Sequence, residues 1–198
     1  DIIIKGPADI SLLPAGGDLQ ELTQLDDEKK ILLMEELDRV SDGYDFLIFD
    51  TGAGISTNVT YFCSAAHEIL LVATAEPTSL TDVYALIKTL YIKHSQKYFR
   101  MIINSVDSER EAQLIFRNLA AVTDRFLPNV SIEYLGYIVS DSSVTKAVRQ
   151  QKAFSEIYPY AKVTQCVEKL AQKMIAEKRS EVDEEQPSLF WRTAFTAR

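Results

Sequence analysis

Short unbroken apolar runs alternate along this chain with longer stretches in which apolar side chains recur at helical spacing. The run Tyr44-Asp45-Phe46-Leu47-Ile48-Phe49 sits between Gly43 and the pair Gly52 and Gly54. It predicts a strand buried on both faces that ends on a carboxylate, Asp50. Further core strands are expected over residues 68–74, 99–106 (with Asn104 at the end) and 132–139. Residues 1–16 give two short runs, Ile2 to Ile4 and Ile10 to Leu13, broken by Gly6-Pro7 and closed by Pro14 and two glycines. Helices are predicted over residues 26–40, with Ile31, Leu32, Met34, Leu37 and Val40 on one face, and over 56–66, with Ser56 or Thr57 as N-cap. The next helix opens at Ser79 and turns Leu80, Val83, Leu86, Ile87 and Leu90 inward. Others span residues 108–126 and 144–152, and a last one, with Pro159 in its first turn, reaches Lys178 with Val163, Val167, Leu170 and Met174 inward. Strands alternating with helices imply an α/β fold: a doubly wound, mostly parallel sheet with helices on both faces.

Composition changes this picture little. At 198 residues and 46% hydrophobic content the chain can bury one sizeable core. One α/β domain over residues 1–178 is expected, followed over 179–198 by an acidic linker and an aromatic tail. A balance of 21 basic against 29 acidic residues argues against a general nucleic-acid surface, which needs clustered cations. Cys63 and Cys166 stand alone, so free thiols in a reducing compartment are the plain reading. No apolar run reaches the ~20 residues a membrane span needs. The chain opens on Asp1, with Ile2-Ile3-Ile4 starting inside an expected ordered element, which reads as a fragment or a trimmed polypeptide. In the tail, residues 187–195 gather Leu189, Phe190, Trp191, Arg192 and Phe195. Two readings stay open there: insertion at a membrane surface or into a partner groove, or packing back on the domain.

At the carboxyl end of a parallel strand an Asp faces the crevice where α/β proteins hold ligands, and beside a phosphate-bound Mg²⁺ it can orient a metal-bound water. The string Asp50-Thr51-Gly52-Ala53-Gly54 resembles the switch-II segment of the MinD/ParA class of deviant-Walker ATPases. "YDFLIFDTGAGIS" is most similar to the MinD-like regulators of flagellar number, the FleN/FlhG group. "ATAEPTSLTDVYALIKTL" resembles that family's strand-to-helix segment, with Ala75 where a proline is commoner. "GPADISLLPAGGDLQEL" is similar to a segment that follows its nucleotide-binding loop.

The resemblance implies a P-loop NTPase-like fold, truncated at its N-terminal side, with ATP and Mg²⁺ as cofactors. It places Asp50, through water, at Mg²⁺, and Thr51, Gly52 and Gly54 in the segment that senses the terminal phosphate. Asn104 matches the family position for adenine recognition, where an amide both donates and accepts. Val139, Ser140 and Asp141 resemble the loop that wraps the base, with Val139 in place of the usual proline. Asn104 as a turn residue and Asp141 as a helix cap are the plain alternatives. His67 and His94 are read as ordinary histidines.

The rest of the inventory is not in this sequence. Seven glycines are present and none precedes Lys-Thr or Lys-Ser; Lys88-Thr89 falls inside a predicted helix. The P-loop lysine and the water-positioning Asp of the family cannot be carried over, so the 198-residue chain is expected not to turn over ATP by itself. Two function classes follow. One is an ATP-dependent switch regulating flagellar number or placement, cytoplasmic and peripheral at the inner membrane face if the tail meets lipid. It would form an ATP-dependent homodimer, with an SRP-type flagellar GTPase or a transcription activator as partner. The other is a regulatory interaction module without ATPase activity. A DNA-partitioning role is disfavoured by the charge.

Overall fold

The computed structural model describes residues 3–14, 32, 35–37, 39–40 and 43–181, the side chains of 178–181 excepted. The chain divides into two compact units, Asp1–Thr51 and Gly52–Arg198. In the first unit, β1 (Ile4–Lys5) and β2 (Ser11–Leu12) form a small antiparallel ribbon with Ile4 opposite Leu12. A 3-10 turn, Pro7–Asp9, joins them, and Ala8 and Asp9 there adopt left-handed backbone. Of the helix expected over residues 26–40, the described residues 32, 35–37, 39 and 40 are helical and Leu37 is buried; the others lie outside the described residues.

The strand expected at residues 44–50 is not observed. Those residues carry no ladder, Phe46 and Leu47 are exposed, and Ile48 is 83% exposed. An apolar run becomes a strand through the hydrogen bonds of its neighbours, and among the described residues no strand pairs with it. Asp50 therefore follows a segment without regular structure and does not close a sheet strand.

The second unit is built on three parallel strands in the order β3-β4-β5: β3 (Leu70–Ala73), β4 (Tyr98–Val106) and β5 (Ser131–Val139). Parallel strands need crossover helices, and the helices fall on both faces. On one face α2 (Pro77–His94) and α3 (Glu109–Phe126) cover Leu71, Ala73, Phe99, Met101 and Ile103 with Val83, Ile87, Leu90, Ala112 and Leu119. On the other, α6 (Lys162–Glu181) sets Leu170 and Met174 against Ile102, Leu135 and Ile138. The doubly wound parallel arrangement is as expected. Helix α1 (Thr57–Ala65) packs on α2, with the Ser56 hydroxyl accepting from the Val59 amide at 3.4 Å as its N-cap. The two thiols are free, and burial pushes that of Cys63 up.

Several local expectations need correcting. Strand β3 is buried on one face only: Leu70 and Val72 are 39% and 52% exposed, because α6 reaches β4 and β5 but no described element covers this side of the edge strand. Helix α2 starts at Pro77, not Ser79: proline fits the first helical turn, and the Ser79 hydroxyl instead accepts from the Thr74 amide at 3.0 Å. Pro159 lies before the last helix, not in it. The Tyr158 carbonyl accepts from the Ala161 amide at 3.0 Å and from the Thr164 hydroxyl at 2.8 Å, a turn that delays α6 to Lys162. Between α4 (Ser142–Arg149) and that turn lies α5 (Phe154–Ile157), whose four residues are too few for a periodic signal.

Two bulges shape β5 against β4. The ladder passes from Met101 opposite Tyr134 to Ile102 opposite Gly136, so Leu135 is extra and turns to the α6 face. Tyr134 and Tyr137 thereby pack into the same core, under α3. At Gly136 the backbone runs close to α6: a Cβ there would come 2.7 Å from Leu170 Cδ2 and push that side chain aside. At the amino ends of the strands, Arg100 gathers three carboxylates: Glu68 at 3.0 Å, Glu133 at 3.1 Å, and Glu177 on α6. Burial alone would lower the pKa of this guanidinium, and the carboxylates more than offset it.

Candidate nucleotide site

The second bulge lies where β4 ends. The register runs from Ile103 opposite Tyr137 to Val106 opposite Val139, which leaves Asn104 and Ser105 on β4 against Ile138 alone. Ser105 takes up the difference in a left-handed conformation, φ 59°. The Ser140 amide then donates to the Val106 carbonyl at 2.9 Å and ties the two strand ends together. The fold so brings Asn104, Val139, Ser140 and Asp141 to the carboxyl edge of the sheet, the edge at which open α/β sheets bind ligands. Asn104, Val139 and Asp141 are half-buried and Ser140 is exposed.

Asp141 is the N-cap of α4. Its Oδ1 accepts from the Ser143 amide at 2.9 Å and from the Ser143 hydroxyl at 2.7 Å. These two bonds, with a smaller contribution from the Val163 amide at the start of α6, hold the carboxyl below its ordinary range. A depressed folded-state pKa stabilises the fold above the unfolded value and loses that contribution as pH falls through the folded one. Thermal melts of the wild type are therefore expected to show a loss of stability below about pH 4 that Asp141→Asn flattens. Coincident acid limbs for the two proteins would show that the cap is not linked to pH.

The same edge carries residues that the sequence did not single out. Ser108 caps α3, its hydroxyl accepting from the Glu111 amide at 3.3 Å, while Glu111 Oε2 accepts from the Asp107 amide at 2.8 Å. The spacing Ser-x-x-Glu is legible in the sequence. The left-handed Ser105 is not, since it arises from the register shift.

Of the residues that resemble a switch segment, Asp50 and Thr51 close the first unit, both exposed, and Gly52 and Gly54 open the second. Gly54 sits at φ 99°, where a side chain would strain the backbone, and nothing stands within 4 Å of a Cβ there or at Gly52. The tail residues Leu189, Phe190, Trp191 and Phe195 lie outside the described residues.

Asn104 offers the donor and acceptor that a purine edge needs, on a bulge that frees it from the ladder. Asp50 is a single exposed carboxylate, compatible with a Mg²⁺ held through water, and no cluster of three metal-ligating side chains occurs among the described residues. A phosphate cradle is not supplied, because no Gly-Lys-Thr or Gly-Lys-Ser occurs in the chain. No helix among the described residues is long and apolar enough to cross a membrane.

The parallel sheet β3-β4-β5 with its flanking helices is a MinD-like α/β fold. It superposes on the MinD cell division protein of Aquifex aeolicus with a TM-score of 0.63 at 19% identity, over 93% of this chain and 70% of that one. For the MinC:MinD complex of the same organism the TM-score is 0.66 at 19% identity, over 94% and 68%. In sequence the chain is similar to flagellar regulators of the MinD/ParA class. It is 40% identical over 174 residues to the antiactivator FleN of Pseudomonas aeruginosa, covering 88% of this chain and 62% of FleN. It is 26% identical over 175 residues to the flagellum site-determining protein YlxH of Helicobacter pylori, covering 88% of this chain and 56% of that protein. The chain thus spans about three fifths of the length of these relatives. No protein-family model matches it.

Proposed function

We propose that this chain is the base-binding part of an ATP-dependent switch of the MinD type that regulates flagellar number or placement. The observation that carries the reading is the bulge that presents Asn104 beside Val139, Ser140 and Asp141 at the carboxyl edge of the sheet. The similarity to FleN and YlxH supports the flagellar setting. In this reading Asn104 reads the adenine edge, residues 139–141 wrap the base, and Asp50 holds a Mg²⁺-bound water while Thr51, Gly52 and Gly54 follow the terminal phosphate. Residues 1–178 form the switch domain and 179–198 the linker and tail. ATP drives homodimerisation, and the dimer presents Leu189, Phe190, Trp191 and Phe195 to a membrane surface at the cytoplasmic face or to a partner. An SRP-type flagellar GTPase and a transcription activator are the partners this reading implies, the second in keeping with the description of FleN as an antiactivator.

The test is nucleotide binding by the gene product. Asn104→Ala is expected to weaken ATP affinity about tenfold and to erase the preference for ATP over GTP, because one amide supplies both the donor and the acceptor. Unchanged affinity and unchanged base preference would take Asn104 out of the site.

A further inference from the structure

Helix α3 carries a second surface, on the side away from the sheet. Its buried residues Ala112, Leu119 and Thr123 define the inner face. At 100° per residue, Arg110, Arg117 and Arg125 fall on the opposite side within an arc of about 80°, spread over about 22 Å of helix. Leu114 and Ala121 lie in the same arc, both exposed, Leu114 to 58%. None of the three guanidinium groups has an ion-pair partner among the described residues. Arg117 Nε donates to the Gln113 carbonyl at 3.1 Å, Arg125 stands 5.3 Å from the Phe126 ring centre, and the described ion pairs gather on Arg39, Arg100 and Lys173. The acidic residues of the first turn are engaged elsewhere: Glu109 accepts from Gln113 at 3.3 Å and Glu111 from the Asp107 amide. Asp124 lies at the margin of the arc. In a chain of net charge −8, a cationic stripe centred on an exposed leucine is the reverse of the average surface.

We propose that the outer face of α3 docks an acidic amphipathic helix of a protein partner. Leu114 seats among the partner's apolar side chains, and Arg110, Arg117 and Arg125 pair with its carboxylates. Charge complementarity selects this occupant: guanidinium forks match carboxylates in two-point geometry, and their spacing along α3 follows a helix laid beside it. A lipid surface would need a broad bulky apolar face; Ala112 and Leu119 are spent on the core, and of the exposed large apolar side chains of α3 Leu114 alone lies within the arginine arc, Val122 and Phe126 falling outside it. The surface shares no residue with the nucleotide site, so the proposal stands or falls apart from that reading.

The test titrates the nucleotide-free 198-residue chain with a synthetic helical peptide of about 20 residues that carries a leucine stripe flanked by glutamates. Saturable binding that weakens with salt is expected. The triple variant R110E/R117E/R125E is expected to lose about 30-fold in affinity and Leu114→Asp about tenfold, both with wild-type circular dichroism, since all four residues are solvent-facing. Absence of binding by the wild type, equal affinity in the triple variant, or equal binding of a lysine-flanked peptide would overturn the proposal. So would co-sedimentation with phosphatidylglycerol vesicles that only the triple variant loses, which would assign the stripe to a membrane.

Discussion

In a polypeptide that also carries the phosphate-binding loop of the class, Asp50→Ala is expected to lower Mg²⁺-dependent ATP turnover about 100-fold while ATP affinity stays within about threefold. The proposed residues divide the labour. The base recognition proposed for Asn104 and residues 139–141 is left alone by the substitution, whereas a carboxylate acting through a metal-bound water would affect the metal and the water that attacks. The loss is smaller than removal of the phosphate-binding lysine would bring, because Asp50 is one exposed group acting at second hand. Asp50→Asn keeps an oxygen that can meet the water and should fall between the two. Measured kcat is decisive: an unchanged value removes Asp50 from the chemistry, and a fall in affinity matching the fall in rate assigns it to binding instead.

Ile103→Ala is expected to cost about 3–4 kcal/mol in urea unfolding, out of a total near 5–15 kcal/mol for a domain of this size. Ile103 is fully buried in the middle strand, between Ala73 of β3 and Tyr137 of β5. It belongs to the core that α2 and α3 close. Truncation removes the transfer free energy of the lost carbons and leaves a cavity that a parallel strand bonded on both edges cannot collapse to fill. The residue also precedes the bulge, so nucleotide affinity should fall with stability. A cost below about 1 kcal/mol would mean that β4 is not the centre of this core.

The helices of the second unit were legible wherever a cap and a long apolar stripe agreed. Ser56, one of the two N-caps expected, is the cap observed, the helix expected over 108–126 is present, and Val83, Ile87 and Leu90 are buried as their spacing requires. The strands at residues 68–74, 99–106 and 132–139 were legible as apolar runs. Only the burial of β3 was overstated, because a run of apolar residues does not reveal whether both faces will be covered. The run at 44–50 failed for a related reason: hydrophobicity announces a wish for neighbours, and pairing has to supply them. Asn104 and Asp141 were singled out through resemblance, and the helix cap that Asp141 forms was the plain alternative all along.

What the amino-acid order determined by itself is the alternation of three parallel strands with their helices, since periodicity and capping are local properties. Register was not local. Two bulges, one at Gly136 and one at Ser105, decide that Tyr134 and Tyr137 share a face and that Asn104 leaves the ladder at the sheet's edge. The position of one strand against another depends on how side chains from distant segments fill the space between them, as Leu170 does against Gly136, and no window of sequence contains both.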